Sequence, residues 1–137
     1  MAKQYDLLVI GAGPGGYTAA LKAAEFGMRV AVIERKTIGG TCVNRGCIPT
    51  KALLYASDMF HMMQNSDEFG VFTDFISFDF AKMQKYKDQA VAKYRESIAA
   101  AFERKNVEIV YGKGILRRDR TVEVELSDPS SSIGSVL

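Results

Sequence analysis

From Tyr5 to Glu34 the chain reads YDLLVIGAGPGGYTAALKAAEFGMRVAVIE. The run that ends at Ile10 is short, nearly continuous in apolar residues and followed by glycine, which predicts a buried parallel strand. Residues 17–28 are rich in strong helix formers and predict a helix. Residues 29–34 form a second run rich in β-branched side chains. Together these segments predict a strand–helix–strand unit of the size that a right-handed parallel crossover needs.

The turn between the first strand and the helix, Gly11 to Gly16, matches the pattern G-x-G-x-x-G. Gly11 permits a tight turn, Gly13 lets the backbone approach a pyrophosphate, and Gly16 lets the helix pack closely on the strand. The helix N-terminus then presents N–H groups and the positive end of its dipole to phosphates. Glu34, at the end of the second strand, can hydrogen-bond ribose hydroxyls and would repel a ribose 2′-phosphate. The whole unit therefore favours a dinucleotide site over a structural glycine turn.

Composition and charge exclude several other classes of protein. The 137 residues are 47% hydrophobic and 25% charged, which predicts one globular domain rather than a disordered or fibrous chain. The formal net charge of +2 is too small to indicate nucleic acid or an anionic membrane as the main partner. No apolar run is long enough to span a membrane, and Asp6 lies where a signal peptide would be apolar. We therefore expect a cytoplasmic protein with no nucleic-acid or membrane partner.

The rest of the chain divides into predicted elements without an internal repeat. These are a glycine-rich loop, a helix, an irregular connection, a long helix and two strands, over residues 35–50, 51–64, 66–80, 81–106, 107–110 and 121–126. The long helix has one apolar stripe, formed by Met83, Tyr86, Ala90, Tyr94, Ile98 and Ala101. We expect Gly112-Lys113-Gly114 to be the turn between the two strands. Residues 1–126 thus form the predicted domain, and residues 127–137 a mobile C-terminal end.

Two cysteines, Cys42 and Cys47, lie directly before a predicted helix. A pair at this spacing can close a small disulfide ring if the backbone winds between them, and Pro49 fits the first turn of a helix. Near a helix N-terminus, with Lys51 close by, the thiolate form should be favoured, as dithiol exchange requires. Three alternatives stay open: a zinc site that includes His61, two unrelated free cysteines, and a purely structural disulfide.

The segment from Gly39 to Lys51, GGTCVNRGCIPTK, resembles the redox-disulfide segment of the flavin-dependent pyridine nucleotide-disulfide oxidoreductases. The glycine motif and Glu34 precede it at the distance found in that family, which makes the resemblance specific. The similarity runs from about Tyr5 to Val124. Within the family, the second half of the segment is most similar to bacterial dihydrolipoamide dehydrogenases, with mercuric and glutathione reductases as the nearest alternatives.

The resemblance implies a fold and a set of site residues. The fold is a Rossmann-like α/β FAD-binding domain with a parallel central sheet, present only as its N-terminal part. Cys47 would face the flavin, Cys42 would exchange with a dithiol substrate, and Lys51 would stabilise the reduced flavin. The implied FAD contacts are Gly11, Gly13, Pro14, Gly15, Gly16, Glu34, Arg35, Gly40, Thr41, Cys42, Cys47, Lys51 and Gly114. For Gly114, an ordinary hairpin position is an equally good alternative.

The resemblance also implies what the complete enzyme does. It would be a homodimer that oxidises dihydrolipoamide on lipoyl domains of 2-oxo acid dehydrogenase or glycine cleavage complexes, with electrons passing through the disulfide and FAD to NAD+. The sequence holds no second glycine fingerprint for NAD+, and His61 does not match the family's C-terminal His–Glu pair. We therefore expect the N-terminal part of a longer enzyme, nearly inactive by itself, with the NAD and dimerisation domains outside it. A flavin-free dithiol redox module is the alternative from another class.

Overall fold

The computed structural model describes residues 3–126 and the backbone of residues 134–136. The chain divides into two compact units, one formed by residues 1–40 and 95–137 and the other by residues 41–94. The expected mobile end, residues 127–137, lies outside the described residues except for the backbone of one short strand, Gly134–Val136.

The elements confirm the predicted strand–helix–strand unit. In chain order they are β1 (Leu7–Ile10), α1 (Pro14–Glu25), β2 (Val30–Glu34), α2 (Gly40–Arg45), α3 (Cys47–Gln64), a 3-10 turn (Ser66–Phe69), α4 (Phe80–Arg104), β3 (Glu108–Leu116), β4 (Val122–Leu126) and β5 (Gly134–Val136). β1 and β2 pair in parallel, from Leu7 opposite Val30 to Ile10 opposite Ile33, and α1 packs on both strands. Within the described part of the chain, every helix is too short or too polar to cross a bilayer.

The first unit is built on one mixed sheet with the strand order β1-β2-β3-β4-β5. β1, β2 and β3 are parallel, whereas β3, β4 and β5 are antiparallel. The two parts share β3, which pairs with β2 as far as Tyr111 and with β4 from Gly112 onward. The expected α/β class with a parallel central sheet is therefore confirmed, and an antiparallel extension of the same sheet adds to it.

The core of this unit lies around β2, whose residues are all buried. Ile33 clusters there with Val122 and Val124 of β4, and Phe102 of α4 is the largest fully buried side chain. Burial of one such side chain stabilises the fold by about 1.5–3 kcal/mol. The expected burial of β1 is wrong in part: its residues are half-buried and Ile10 is 51% exposed. β1 is an edge strand of the described sheet, so only one neighbouring strand covers it.

The expected turn at Gly112-Lys113-Gly114 is wrong, because this segment lies inside β3. The chain reverses later, where the Arg117 N–H donates to the carbonyl of Thr121 at 2.8 Å. Gly112 is instead a point of close approach between strands, since a Cβ there would lie 2.6 Å from the Glu125 carbonyl oxygen. Gly114 lies in a strand of the β3–β4 hairpin, opposite Val124, and not in its turn.

The helical prediction needs two further corrections. The expected loop over residues 35–50 is wrong from Gly40 onward, because α2 begins there and α3 begins at Cys47. The long helix α4 is confirmed, but its buried residues are Val91, Ile98 and Phe102, whereas Tyr86 and Tyr94 of the expected stripe are exposed. The irregular connection between α3 and α4 is confirmed apart from the 3-10 turn.

Candidate functional site

The glycine turn lies at the carboxyl end of β1, next to the carboxyl end of β2. Gly11 has φ of +98°, and its N–H donates to the Ile33 carbonyl at 2.7 Å. α1 begins immediately at Pro14, where a missing N–H costs nothing. Among the described residues, no side chain caps this helix and no acid lies in its first turn. The first-turn N–H groups of Gly15 and Gly16 therefore point away from the helix, at the positive end of its dipole. An anion site requires this arrangement.

α1 lies close to β1 at Gly16. A Cβ on Gly16 would overlap the Gly11 carbonyl oxygen and lie 3.3 Å from Cγ1 of Val9. By contrast, a Cβ on Gly15 would meet nothing within 4 Å. The predicted role of Gly16 in close helix–strand packing is confirmed.

Glu34 ends β2 and is the buried charged residue of the described core, 8% exposed. Its Oε2 accepts the Ala12 N–H at 2.8 Å, and its Oε1 accepts the Lys36 N–H at 2.8 Å. Each oxygen of a carboxylate has a second acceptor site, so these two bonds leave room for two more donors. Glu34 is therefore bonded to the glycine turn while it can still accept hydroxyl groups.

A pocket of about 330 Å³ opens beside Glu34, within the range of small-molecule sites. It is lined by Ile10, Gly11, Ile33, Glu34, Arg35, Gly112, Lys113 and Gly114. The predicted residues Gly11, Glu34, Arg35 and Gly114 are thus brought together. A Cβ on Gly114 would lie 3.2 Å from Cγ2 of Ile33, on the lining of this pocket.

A second backbone segment meets the glycine turn at Gly39 and Gly40. The Gly39 N–H donates to the Ala12 carbonyl at 2.8 Å. Gly40 has φ of +61°, and a Cβ there would lie 2.7 Å from the Cα of Gly13. Both the conformation and the close approach require glycine at position 40.

In the second unit, Cys42 and Cys47 are joined by a disulfide, with their Cα atoms 4.7 Å apart. α2 carries the first cysteine and α3 begins at the second, so helical winding brings them together. A Cβ on Gly46, between the helices, would lie 3.2 Å from the Thr41 carbonyl oxygen, so the tight junction favours glycine. Cys42 is half-buried and Cys47 is exposed. The alternative of two free cysteines is therefore wrong.

The N-terminus of α3 has the electrostatic character expected for a reactive disulfide. No acidic residue lies in its first turn. Lys51 follows Cys47 by one helical turn on the same face and is exposed, as is Thr41. His61 is exposed near the other end of α3. Among residues 3–126, no group of three or more His, Cys, Asp or Glu side chains is arranged to hold a metal ion.

The sequence predictions omitted several residues of the site. Ile10, Ile33, Gly112 and Lys113 line the pocket, and Ala12 and Gly39 hold the turn. The predicted strand ends could have indicated Ile10 and Ile33, because ligands of parallel sheets bind beyond the carboxyl ends of strands. Gly112 and Lys113 have no comparable local pattern, since β3 joins the pocket only through sheet pairing.

The comparisons with known proteins agree with this geometry. The family model described as pyridine nucleotide-disulphide oxidoreductase matches residues 5–131. A dihydrolipoyl dehydrogenase of Chlorobaculum tepidum is 39% identical over 130 residues, which cover 95% of this chain and 28% of that protein. The Geobacillus stearothermophilus enzyme of the same name is 38% identical over 131 residues, covering 96% of this chain and 28% of the relative. That of Manduca sexta is 44% identical over 122 residues, covering 88% of this chain and 24% of the relative.

The chain therefore spans 24 to 28% of the length of these three relatives. The family match, however, includes the glycine turn, Glu34, both cysteines and the strands that line the pocket. On this evidence the chain belongs to the pyridine nucleotide-disulphide oxidoreductase family.

Proposed function

We propose that the chain is the FAD-binding, redox-disulfide part of a dihydrolipoyl dehydrogenase. The observation that carries this proposal is the Cys42–Cys47 disulfide at the start of α3. A disulfide with one exposed cysteine, at a helix N-terminus whose first turn holds no acidic residue, has the environment of an exchangeable bond rather than an inert one.

The residues of the first unit fit the adenosine and pyrophosphate parts of FAD. The free acceptor sites of Glu34 suit ribose hydroxyls. Because Gly114 has no side chain, it leaves space in the pocket. The N–H groups of Gly15 and Gly16 at the start of α1 suit the pyrophosphate. When bound, FAD would supply a two-electron acceptor able to pass hydride to NAD+.

The chemistry of the chain's own residues is thiol–disulfide exchange. A thiolate of the dithiol substrate attacks Sγ of Cys42, a substrate–Cys42 bond forms, and the Cys42–Cys47 bond breaks. Cys47 is the better leaving group because the α3 N-terminus and Lys51 favour its thiolate. The second substrate thiolate then attacks the substrate sulfur of the mixed disulfide and releases Cys42. The substrate becomes a cyclic disulfide, and the two cysteines retain the electron pair.

The substrate, the final electron acceptor, the location and the oligomeric state are features of the complete enzyme. We infer that its dithiol is a lipoyl group carried by lipoyl domains of 2-oxo acid dehydrogenase or glycine cleavage complexes, and that NAD+ is the final acceptor. We also infer that the complete enzyme is a cytoplasmic homodimer. His61 is exposed near the far end of α3 from the cysteines, so another part of the complete enzyme would supply the acid–base group for the thiol chemistry.

Flavin binding tests the cofactor part of the proposal. The purified chain is titrated with FAD, and quenching of flavin fluorescence is measured. We expect saturable binding that Gly114→Val weakens by about tenfold or more, because a branched side chain would fill part of the pocket. Glu123→Val is the control, because Glu123 of β4 and its ion-pair partner Arg117 both lie outside the pocket lining. Equal affinities for both variants would contradict the proposed site.

The disulfide part is tested by mapping the first adduct. The oxidised chain is treated briefly with a small monothiol, free thiols are alkylated in acid, and peptides are identified by mass spectrometry. We expect the monothiol on Cys42 and the alkyl group on Cys47. The reverse distribution would contradict the assigned roles, and no adduct on either cysteine would contradict the exchange function itself.

A further inference from the structure

The contacts of Glu34 suggest a second role for this residue. Its two oxygens already accept the backbone N–H groups of Ala12 and Lys36, both at 2.8 Å. None of the ion pairs among the described residues includes Glu34. The charge of this 8% exposed carboxylate is therefore balanced by backbone donors.

Ala12 is the point at which these contacts act on the glycine turn. It is fully buried, with 0% exposure. Glu34 accepts its N–H, and its carbonyl accepts the Gly39 N–H at 2.8 Å. Both backbone groups of this one residue are thus bonded, one to the end of β2 and one to the segment that follows it. The peptide groups on either side of Ala12 have their orientation fixed by these bonds.

We propose that Glu34 is a positioning residue for the glycine turn: through the Ala12 N–H, it holds the turn in its pyrophosphate-binding shape before any ligand arrives. This role rests on the proposed function and is additional to any contact with ribose hydroxyls. A preformed turn binds phosphate more tightly because the backbone loses less freedom on binding.

The substitution Glu34→Met separates the two roles. A methionine side chain has nearly the same length but no carboxylate, and its thioether is only a weak acceptor. The N–H groups of Ala12 and Lys36 would then both lose their acceptor. Glu34→Asp keeps the charge but is shorter by one methylene, and it provides a second variant if the first fails to fold. Asp6→Asn is the matched control, because the Asp6 carboxylate also accepts a backbone N–H, that of Arg29 at 2.7 Å, outside the pocket lining.

Nucleotide binding is measured with ADP and with 2′,3′-dideoxy-ADP, which has no ribose hydroxyls. We expect Glu34→Met to weaken the binding of both nucleotides, dideoxy-ADP by about tenfold, whereas Asp6→Asn leaves both affinities unchanged. If Glu34 acted only through the ribose, the variant would bind dideoxy-ADP as tightly as the original chain. That result would overturn the proposal.

Amide hydrogen exchange in the ligand-free chain gives an independent readout. We expect the exchange of the Ala12 N–H to be at least tenfold faster in Glu34→Met or Glu34→Asp than in Asp6→Asn, because a lost hydrogen bond exposes that amide. Unchanged Ala12 protection in both Glu34 variants would overturn the positioning role. A chain that binds neither nucleotide would overturn the proposed flavin site, and the exchange of Ala12 would still decide the role of Glu34.

Discussion

At the scale of single residues, Gly15 and Gly16 are neighbours with opposite requirements. A Cβ on Gly16 would overlap the Gly11 carbonyl oxygen, whereas one on Gly15 would meet nothing within 4 Å. Both residues lie in the first turn of α1. The first position therefore tolerates a methyl group, and the second does not.

We expect Gly16→Ala to lower the free energy of unfolding by about 1–3 kcal/mol, because α1 must move away from β1. Gly15→Ala should leave it unchanged or raise it by up to about 1 kcal/mol, since alanine restricts the unfolded chain. Urea unfolding followed by far-UV circular dichroism measures both. Equal destabilisation by the two substitutions would show that the close packing at Gly16 does not limit stability.

At the scale of elements, the segment before β1 is fastened to the start of β3. The Tyr5 hydroxyl donates to Oε2 of Glu108 and the Lys3 ammonium donates to Oε1, both at 2.6 Å. Burial, then the hydrogen bond and charge of Glu108, raises the pKa of Tyr5 from 10.0 to about 12. The hydrogen bonds from Lys3 and then Tyr5 lower the pKa of Glu108 below 4.5.

The pKa shifts of Tyr5 and Glu108 determine the pH range in which this contact stabilises the chain. A raised Tyr5 pKa contributes stability below pH 10 that is lost as the pH rises from 10 to about 12. The lowered Glu108 pKa contributes stability above pH 4.5 that is lost as the pH falls below this value.

Titration of tyrosinate absorbance measures the pKa of Tyr5, which sets the alkaline limit of this contact. We expect Tyr5→Phe to remove one ionisation near pH 12, and Glu108→Gln to lower the pKa of Tyr5 only in part, because burial is the largest cause and remains. Glu103→Gln, an exposed carboxylate of α4, should leave the titration unchanged. An identical titration curve for Tyr5→Phe and the original chain would refute the assignment.

At the scale of the whole molecule, β3 joins the parallel and antiparallel parts of the sheet. The change of partner falls between Tyr111 and Gly112, and a Cβ on Gly112 would lie 2.6 Å from both the Glu125 carbonyl oxygen and Cγ1 of Val124. Val124 belongs to the buried core. Any side chain at position 112 would therefore push β3 and β4 apart beside this core.

We expect Gly112→Ala to destabilise the chain by about 1–3 kcal/mol. Lys113→Ala, at the next and exposed position, removes only a surface ion pair with Glu125 and should cost about 0–1 kcal/mol. Thermal unfolding compares the two variants. A larger effect of Lys113→Ala would mean that the strand junction is looser than the contacts of Gly112 indicate.

Much of the fold could be predicted because its requirements are local. The β-branched runs, the helix formers between them and the left-handed Gly11 express conformational preferences of adjacent residues. The main error in the local predictions was the loop expected around Cys42 and Cys47, where the structure has helices. The glycines in this segment resembled those of a loop, although Gly46 serves a tight helix junction.

The sequence by itself determined the strand–helix–strand unit, the glycine turn and the cysteine pair, since each depends on residues close together in the chain. Only the tertiary structure decided that Gly112 and Lys113 line the pocket, that the cysteines are bonded, and that Glu34 holds Ala12. The physical reason is that a glycine can serve a turn or a close approach, and a carboxylate can serve a ligand or a backbone N–H. Which of these applies depends on the neighbours that packing brings to it.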